Sequence, residues 1–487
     1  MTDPETDKAV EELRAAEEEV EAHSAAFKKE LGLTDLALTQ ILFIVGLPWV
    51  GIAGKLGPAH IVFWLLAIAL FYLPSAAVVV HLNRLMPLEG GLYQWAKFGF
   101  NELTGYLVAW NLWLFAILNT SEIGLQLSTS LSYALGPRFQ WMAGNKWFIT
   151  ATNCVTIGLL VTVSTVGLGV GKWLHKAGGA LMLATFAVLL LLPLLNLAHG
   201  TVSEYRPLKA AMPTVSLFSL NILGKLGFGA LGGFEYVAIH AGECRNPART
   251  IGRSVALAAP IIAVMFVLGT SSVLALMRPD DIDLIGPIPQ VLRAGFGALG
   301  IAANVVPPAI CAFMCIRIAQ SSVTFTGNTR LPMVAGWDHL LPSWFTRLHP
   351  RFKTPINSIL FVGVVTLGFG LIGLIGVGEQ EAFQLLWNAS GIFYALTYLV
   401  MFAVPLFGLR GIENRGPLWL KLAATSGFLM TLLYVTLSIL PIVKVDSRFT
   451  FAVKISGVIV CANLIGVAVF VAGERRRKRH EAELAFP

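Results

Sequence analysis

The stretch ILFIVGLPWVGIAG, residues 41–54, lies inside a long apolar run, yet it carries Gly46, Pro48 and Gly51 close together. In hydrocarbon every backbone N–H and C=O needs a partner. Irregular backbone therefore persists at that depth only where it is buried in protein or lines a cavity. Proline lacks a donor and clashes with the preceding helical turn, and glycine lets the chain bend. A break at this place points to an internal site.

The surrounding chain explains the apolar setting. It has 487 residues, 56% hydrophobic and 13% charged, whereas soluble domains are about 25% charged. Twelve apolar runs recur, at 36–56, 59–84, 104–134, 147–167, 177–198, 216–241, 254–277, 297–323, 356–375, 381–405, 418–441 and 450–472. Each is long enough, at about 20 residues, to cross a bilayer core of roughly 30 Å. The reading is an all-α integral membrane protein in three parts: an acidic segment 1–32, a transmembrane domain 33–473 and a basic tail 474–487. The five cysteines form no Cys-x-x-Cys pair, so neither a disulfide framework nor a zinc site is expected.

The net charge of +7 has a membrane explanation. With twelve spans and a cytoplasmic N-terminus, basic residues fall inside rather than outside by about two to one, as the positive-inside rule requires. Both termini are then cytoplasmic in a cell-membrane protein. The ERRRKRH tail, residues 474–480, reads as a lipid-facing anchor beyond the last span and not as a nucleic-acid patch. The segment before the first run reads as an acidic helix, either solvated or docked on basic loops carrying Arg245, Arg249, Arg253 and Arg351.

A second break lies in the sixth run. Within KLGFGALGGFEYVAIHAGE, residues 225–243, Gly227, Gly229, Gly232 and Gly233 interrupt any continuous helix. Runs one and six each open a set of five. Interrupted helices at matching places in two repeats point to a substrate site at the midplane. A half-helix N-terminus suits a carboxylate and a C-terminal end suits an ammonium. The candidate substrate-binding residues are Gly46, Leu47, Pro48, Trp49, Val50 and Gly51 in the first break. In the second they are Phe228, Gly229, Ala230, Gly232 and Gly233, with unwinding expected over 46–51 and 228–234.

Several stretches resemble the amino acid–polyamine–organocation permeases. PLEGGLYQWAKFGFNELTGYLVAW from Pro87 is similar to the family's loop after the second span. Glu243, Asn246, Pro247 and Arg249 match its Glu-x-x-Asn-Pro-x-Arg pattern, and the stretch from Asn328 to Ser358 resembles the loop after the eighth span. The resemblance implies the leucine-transporter fold: twelve spans, as two inverted five-helix repeats (spans 1–5 and 6–10) with broken helices 1 and 6, plus two further helices. It also implies a permease for amino acids or related amines, with main-chain substrate contacts at the breaks. The chain departs from the family at Gly46-Leu-Pro-Trp-Val50, where relatives carry a second glycine at the position of Pro48. Phe228, or else Trp110, Trp113 or Trp387, is then the candidate cover over the substrate. The lysine that some relatives carry in the fifth span is absent from 177–198.

Charged residues at membrane depth are functional candidates by default. Glu235 follows the second break and accepts a substrate ammonium or a proton, or else caps broken backbone. Arg317 is a fixed cation between moving parts or a bridge to carbonyls near the inner face, the latter being favoured. Glu122 and Arg317 fall at different depths, which argues against their pairing, and Lys225 reads as snorkelling to the outer surface. His240 reads as an ordinary hydrogen-bonded histidine or part of an inner gate. Coupling or gating candidates are thus Glu235, Glu122, Arg317, Trp110 and Trp387. The expected partners are a small amino acid or amine, membrane lipids and a proton, without metal, cofactor or nucleic acid. No serine-hydrolase elbow, zinc-protease pair or phosphate-binding loop occurs, so an enzyme or an ATP-driven pump is not expected. A polyamine or organic-cation exchanger and a non-transporting sensor remain as alternatives.

Overall fold

The computed structural model describes residues 18, 29, 31–88, 90–202, 211, 214–333, 340–373, 378–408, 417–442, 445 and 447–485. The expectations for most of the acidic segment, for Arg206, Lys209, Arg410, Arg415 and Lys444, and for the side chains of His240 and Glu243 lie outside the described residues. Within them, ten helical segments are long and apolar enough to cross a membrane, or eleven if the first bent pair counts as one. The shorter apolar helix Ile356–Ile372 occupies the ninth run. The polarity is that of a membrane protein. Leu65, Leu194, Val364 and Leu432 face outward, while Glu122, Lys225, Glu235 and Arg317 are buried.

The helices around the centre are α1 (Leu33–Ile44), α2 (Leu47–Gly54), α3 (Glu102–Ser121), α4 (Ile123–Leu135), α5 (Leu217–Gly224), α6 (Pro247–Leu276), α7 (Ala302–Asn328), α8 (Glu379–Phe407), α9 (Leu418–Leu437) and α10 (Arg448–Ala485). Their starts follow local chemistry. Gly32 N–H donates to Asp35 Oδ2 at 3.0 Å ahead of α1, and Asn101 Oδ1 accepts from Thr104 N at 2.8 Å to cap α3. Such caps satisfy donors that a helix leaves free in its first turn. α10 runs on through the basic residues of the tail, and Arg477 grips Glu102 at 2.7 Å.

The first break is narrower than expected. Only Val45 and Gly46 separate α1 from α2, and the two helices are bent by 48°. Helix resumes at Leu47, so Pro48 and Gly51 lie inside α2. Pro48 sits in its first turn, where a missing N–H leaves nothing unpaired. The second break is also shifted. α5 continues as a wide π-helical turn, Lys225–Ala230, so Phe228, Gly229 and Ala230 are coiled and not unwound. The interruption falls at Gly232 and Gly233, followed by a 3₁₀ stretch, Phe234–Glu243. Gly233 takes φ +134°, open only to glycine. A Cβ there would come within 2.8 Å of Ile44 and Phe43, so the two breaks touch.

The segments beside the breaks are strapped together at one end. Leu31 pairs with Cys244 in an isolated parallel bridge, and Arg245 N–H donates to Leu31 O at 3.2 Å. Gly90 N–H donates to Ile239 O at 3.2 Å. Gly91, at φ +44°, lies so close that a Cβ would meet the Ala238 carbonyl carbon at 2.9 Å. The paired glycines of the PLEGGLY loop are there to let that loop lie on the 3₁₀ stretch. Asn246 takes φ +52°, in the left-handed region that asparagine tolerates, directly before Pro247 opens α6.

Candidate functional site

Where the breaks meet, a cavity of about 80 Å³ is lined by both interrupted segments and by α3, α7, α8 and α9. Gly46, Trp49, Phe228, Gly229 and Gly232 line it; Pro48, Val50, Gly51, Ala230 and Gly233 do not. The side chain of Leu47 lies outside the described residues. Trp49 is the hinge of the arrangement. A Cβ on Gly46 would meet its ring at 2.5 Å, and one on Gly229 would meet it from the other side at 2.5 Å. The indole therefore occupies a slot made by one glycine from each broken segment. Trp387 of α8 stands against it, with centroids 5.3 Å apart.

Trp387 thus lies on the cavity, as one of the expected covers. Trp110 and Trp113 do not. Trp110 Nε1 donates to Ala462 O of α10 at 2.9 Å, and Trp113 stacks on Phe361. Both line a separate outer crevice. Their place on the third run could not reveal which face of α3 looks inward. Phe228 does reach the wall, packed edge-on to Tyr394 and tilted against Tyr434.

The charged candidates require two corrections. Glu122 and Arg317 come together after all: Arg317 Nη2 lies 3.9 Å from Glu122 Oε1. Glu122 sits at the kink between α3 and α4, which turns it toward α7. Arg317 does not bridge carbonyls. Its Nη1 donates to Gln320 Oε1 at 2.5 Å, its Nε has no partner, and it borders the cavity. The carbonyl bridge belongs to Gln320, whose Nε2 donates to Leu42 O at 2.7 Å and Val45 O at 2.8 Å. Those are the carbonyls exposed where α1 ends.

Lys225 does not snorkel. It is 1% exposed, and Nζ donates to Asn388 Oδ1 at 2.8 Å and Ser438 Oγ at 3.3 Å, 5.6 Å from the Tyr434 ring centre. The π-helical turn rotates it inward. No carboxylate among the described residues forms an ion pair with it. Burial of a lone charge is unfavourable. Lys225→Met is therefore expected to leave thermal stability unchanged or to raise it by up to about 2 kcal/mol; a clear fall in melting temperature would show that Asn388 and Ser438 depend on the ammonium.

Glu235 lies one layer behind the cavity. Its carboxylate accepts from the hydroxyls of Tyr394 and Tyr398, and Tyr398 in turn accepts from Gly233 N–H at 2.6 Å. Tyr394 lines the cavity and so links Glu235 to it. Tyr394, Tyr398, Gln320 and Asn388 were not among the sequence candidates. The i,i+4 spacing of Tyr394 and Tyr398, which puts both on one helix face, was the available signal. Among the described residues no cluster suited to a metal ion occurs.

The comparisons agree with this geometry. The family model described as amino acid permease matches residues 31–461. An uncharacterized transporter of Legionella pneumophila is 23% identical over 395 residues, covering 77% of this chain and 80% of its own. The methylthioribose transporter of Bacillus subtilis is 23% identical over 394 residues, 75% of this chain and 81% of its own. The crystal structure of MhsT in complex with L-phenylalanine matches with a TM-score of 0.57 at 14% identity, over 84% of this chain and 98% of that one, a likeness of fold. These relatives are transporters, as expected of a carrier rather than an enzyme. With two interrupted helices closing on a cavity and a family match over most of its length, the chain belongs to the amino acid permease family and has the leucine-transporter fold.

Proposed function

We propose that this protein is a secondary active transporter that moves amino acids or related amines across the cell membrane by alternating access. Its spans number twelve, as two inverted five-helix repeats plus two helices, and both termini are cytoplasmic. The observation that carries the reading is the Trp49 slot: one glycine from each broken segment holds a ring at the wall of the cavity. A site set between two interrupted segments suits a carrier, not a permanent pore. A polyamine or organic-cation exchanger is the weaker reading, because among the described residues the only charged one on the cavity wall is Arg317.

Gln320 bears on the driving ion. Half-helix carbonyls are where transporters of this architecture hold a cation, and here an amide N–H₂ already bridges two of them. Coupling to a proton, or plain exchange, fits better than coupling to sodium. The test is uptake of radiolabelled amino acids into proteoliposomes, with and without unlabelled substrate inside. Saturable uptake, accelerated from the opposite side and unchanged when choline replaces sodium, is expected. Flux that does not saturate would indicate a channel, binding without flux a sensor, and a sodium requirement would mean that Gln320 yields its place to the ion.

A further inference from the structure

We infer that Arg317 is the carboxylate receptor of the central cavity, so that the carrier selects substrates by a carboxylate set against an apolar body. The inference rests on the transporter reading and names the chemistry its site recognises. A broken helix ordinarily offers an anion the free N–H groups of its N-terminus. Here some of those donors are engaged. Pro48 has none, and Trp49 N–H donates to Gly46 O at 3.2 Å. At the second break, Gly233 N–H donates to the Tyr398 hydroxyl and Tyr236 N–H to Gly233 O at 3.2 Å.

Side chains supply what the backbone withholds. Among the described residues, Arg317 is the only charged one on the cavity wall. It is 6% exposed, its Nε has no partner, and its 3.9 Å approach to Glu122 is too long for a hydrogen bond. Trp387 Nε1, from the same wall and 7% exposed, also lacks a partner. Two buried N–H donors left unpaired beside one void are unfavourable until an acceptor arrives, and a guanidinium matches a carboxylate in shape as well as charge. Of the nearby acids, Glu235 is held by two tyrosines, and Glu122 Oε1 accepts from Gln126 and faces Arg317, while its Oε2 has no hydrogen-bond partner. Phe43, Phe115, Phe228 and Trp49 form an apolar part of the wall, which also carries the polar side chains of Asn119, Ser321, Thr324 and Ser390. Among the described residues no carboxylate lines the cavity itself.

The test uses the purified full-length protein and three probes with the same isobutyl side chain: L-leucine, isopentylamine, which lacks the carboxylate, and 4-methylpentanoate, which lacks the ammonium. L-leucine and 4-methylpentanoate are expected to raise the melting temperature of the wild type in proportion to ligand bound, and isopentylamine is not. Arg317→Gln is expected to weaken both carboxylates by about 10- to 100-fold, with Arg317→Lys recovering part. Because Arg317→Gln leaves Glu122 without its partner, Arg317→Gln/Glu122→Gln is measured as well, and the same loss is expected. Stabilisation by isopentylamine equal to that by L-leucine, or carboxylate binding of wild-type strength in both glutamine variants, overturns the assignment of Arg317 and leaves the transporter reading standing. Stabilisation by none of the three also overturns it, and the counterflow assay decides separately whether the transporter reading survives.

Discussion

Glu235→Ala should destabilise this protein by about 2–5 kcal/mol, whereas Glu235→Gln should leave it folded with an uptake that no longer responds to pH. The difference lies in the two phenols. Tyr394 and Tyr398 are buried and both donate to the Glu235 carboxylate. Alanine removes their common acceptor, and a buried polar group left unpaired costs about 1–3 kcal/mol. Glutamine keeps the shape: its oxygen accepts from one phenol and its amide donates to the other. What it removes is the capacity to gain or lose a proton beside the cavity. Thermal unfolding of both variants checks the first half of the expectation. Uptake by wild type and Glu235→Gln over roughly pH 5 to 8 checks the second. Parallel curves of similar height would reduce Glu235 to a structural acceptor.

Gly229→Val should abolish transport, lowering uptake at least about tenfold, with a loss of stability of about 1–3 kcal/mol. A Cβ at Gly229 would lie 2.5 Å from Cη2 of Trp49, 2.9 Å from Cζ2 and 3.0 Å from Cζ3. The indole has no retreat, since the far side of the slot is the bare backbone of Gly46 and Trp387 flanks it. The ring must swing into the cavity, or the two broken segments must part. Either outcome occupies or deforms the site. Adding Trp49→Phe, which shortens the ring, should recover folding and some uptake. Near-normal uptake in Gly229→Val alone would remove the slot from the transport path.

The runs that build the helices were plain in the sequence because bilayer thickness imposes its length on them. Gly232 and Gly233 were readable as a break, and Gly46 marked the first. The extent of the breaks was not, because proline reads as a breaker in mid-run, yet Pro48 proves to start a helix, the place where its missing donor does no harm. Side-chain direction was harder still. Lys225 looked free to reach the surface because nothing in KLGFGA announces a π-helical turn, and that turn points it inward. Glu122 and Arg317 looked mismatched in depth until the kink after Ser121 brought them together. The site residues overlooked were uncharged. A tyrosine or glutamine in a span gives no alarm in composition, and its role emerges only when a neighbouring helix supplies the partner, as Glu235 does for Tyr398 and Val45 O for Gln320.

The strap joining Leu31 to Cys244 gives the protein a built-in stopwatch. Alternating access would have to separate those strands of main chain each time that end of the molecule opens. Cys244 is 1% exposed while they are joined, whereas the other four cysteines are exposed. With those four replaced by serine, the rate at which a thiol reagent alkylates Cys244 would report how readily that end opens. Substrate would raise or lower that rate according to which side it favours.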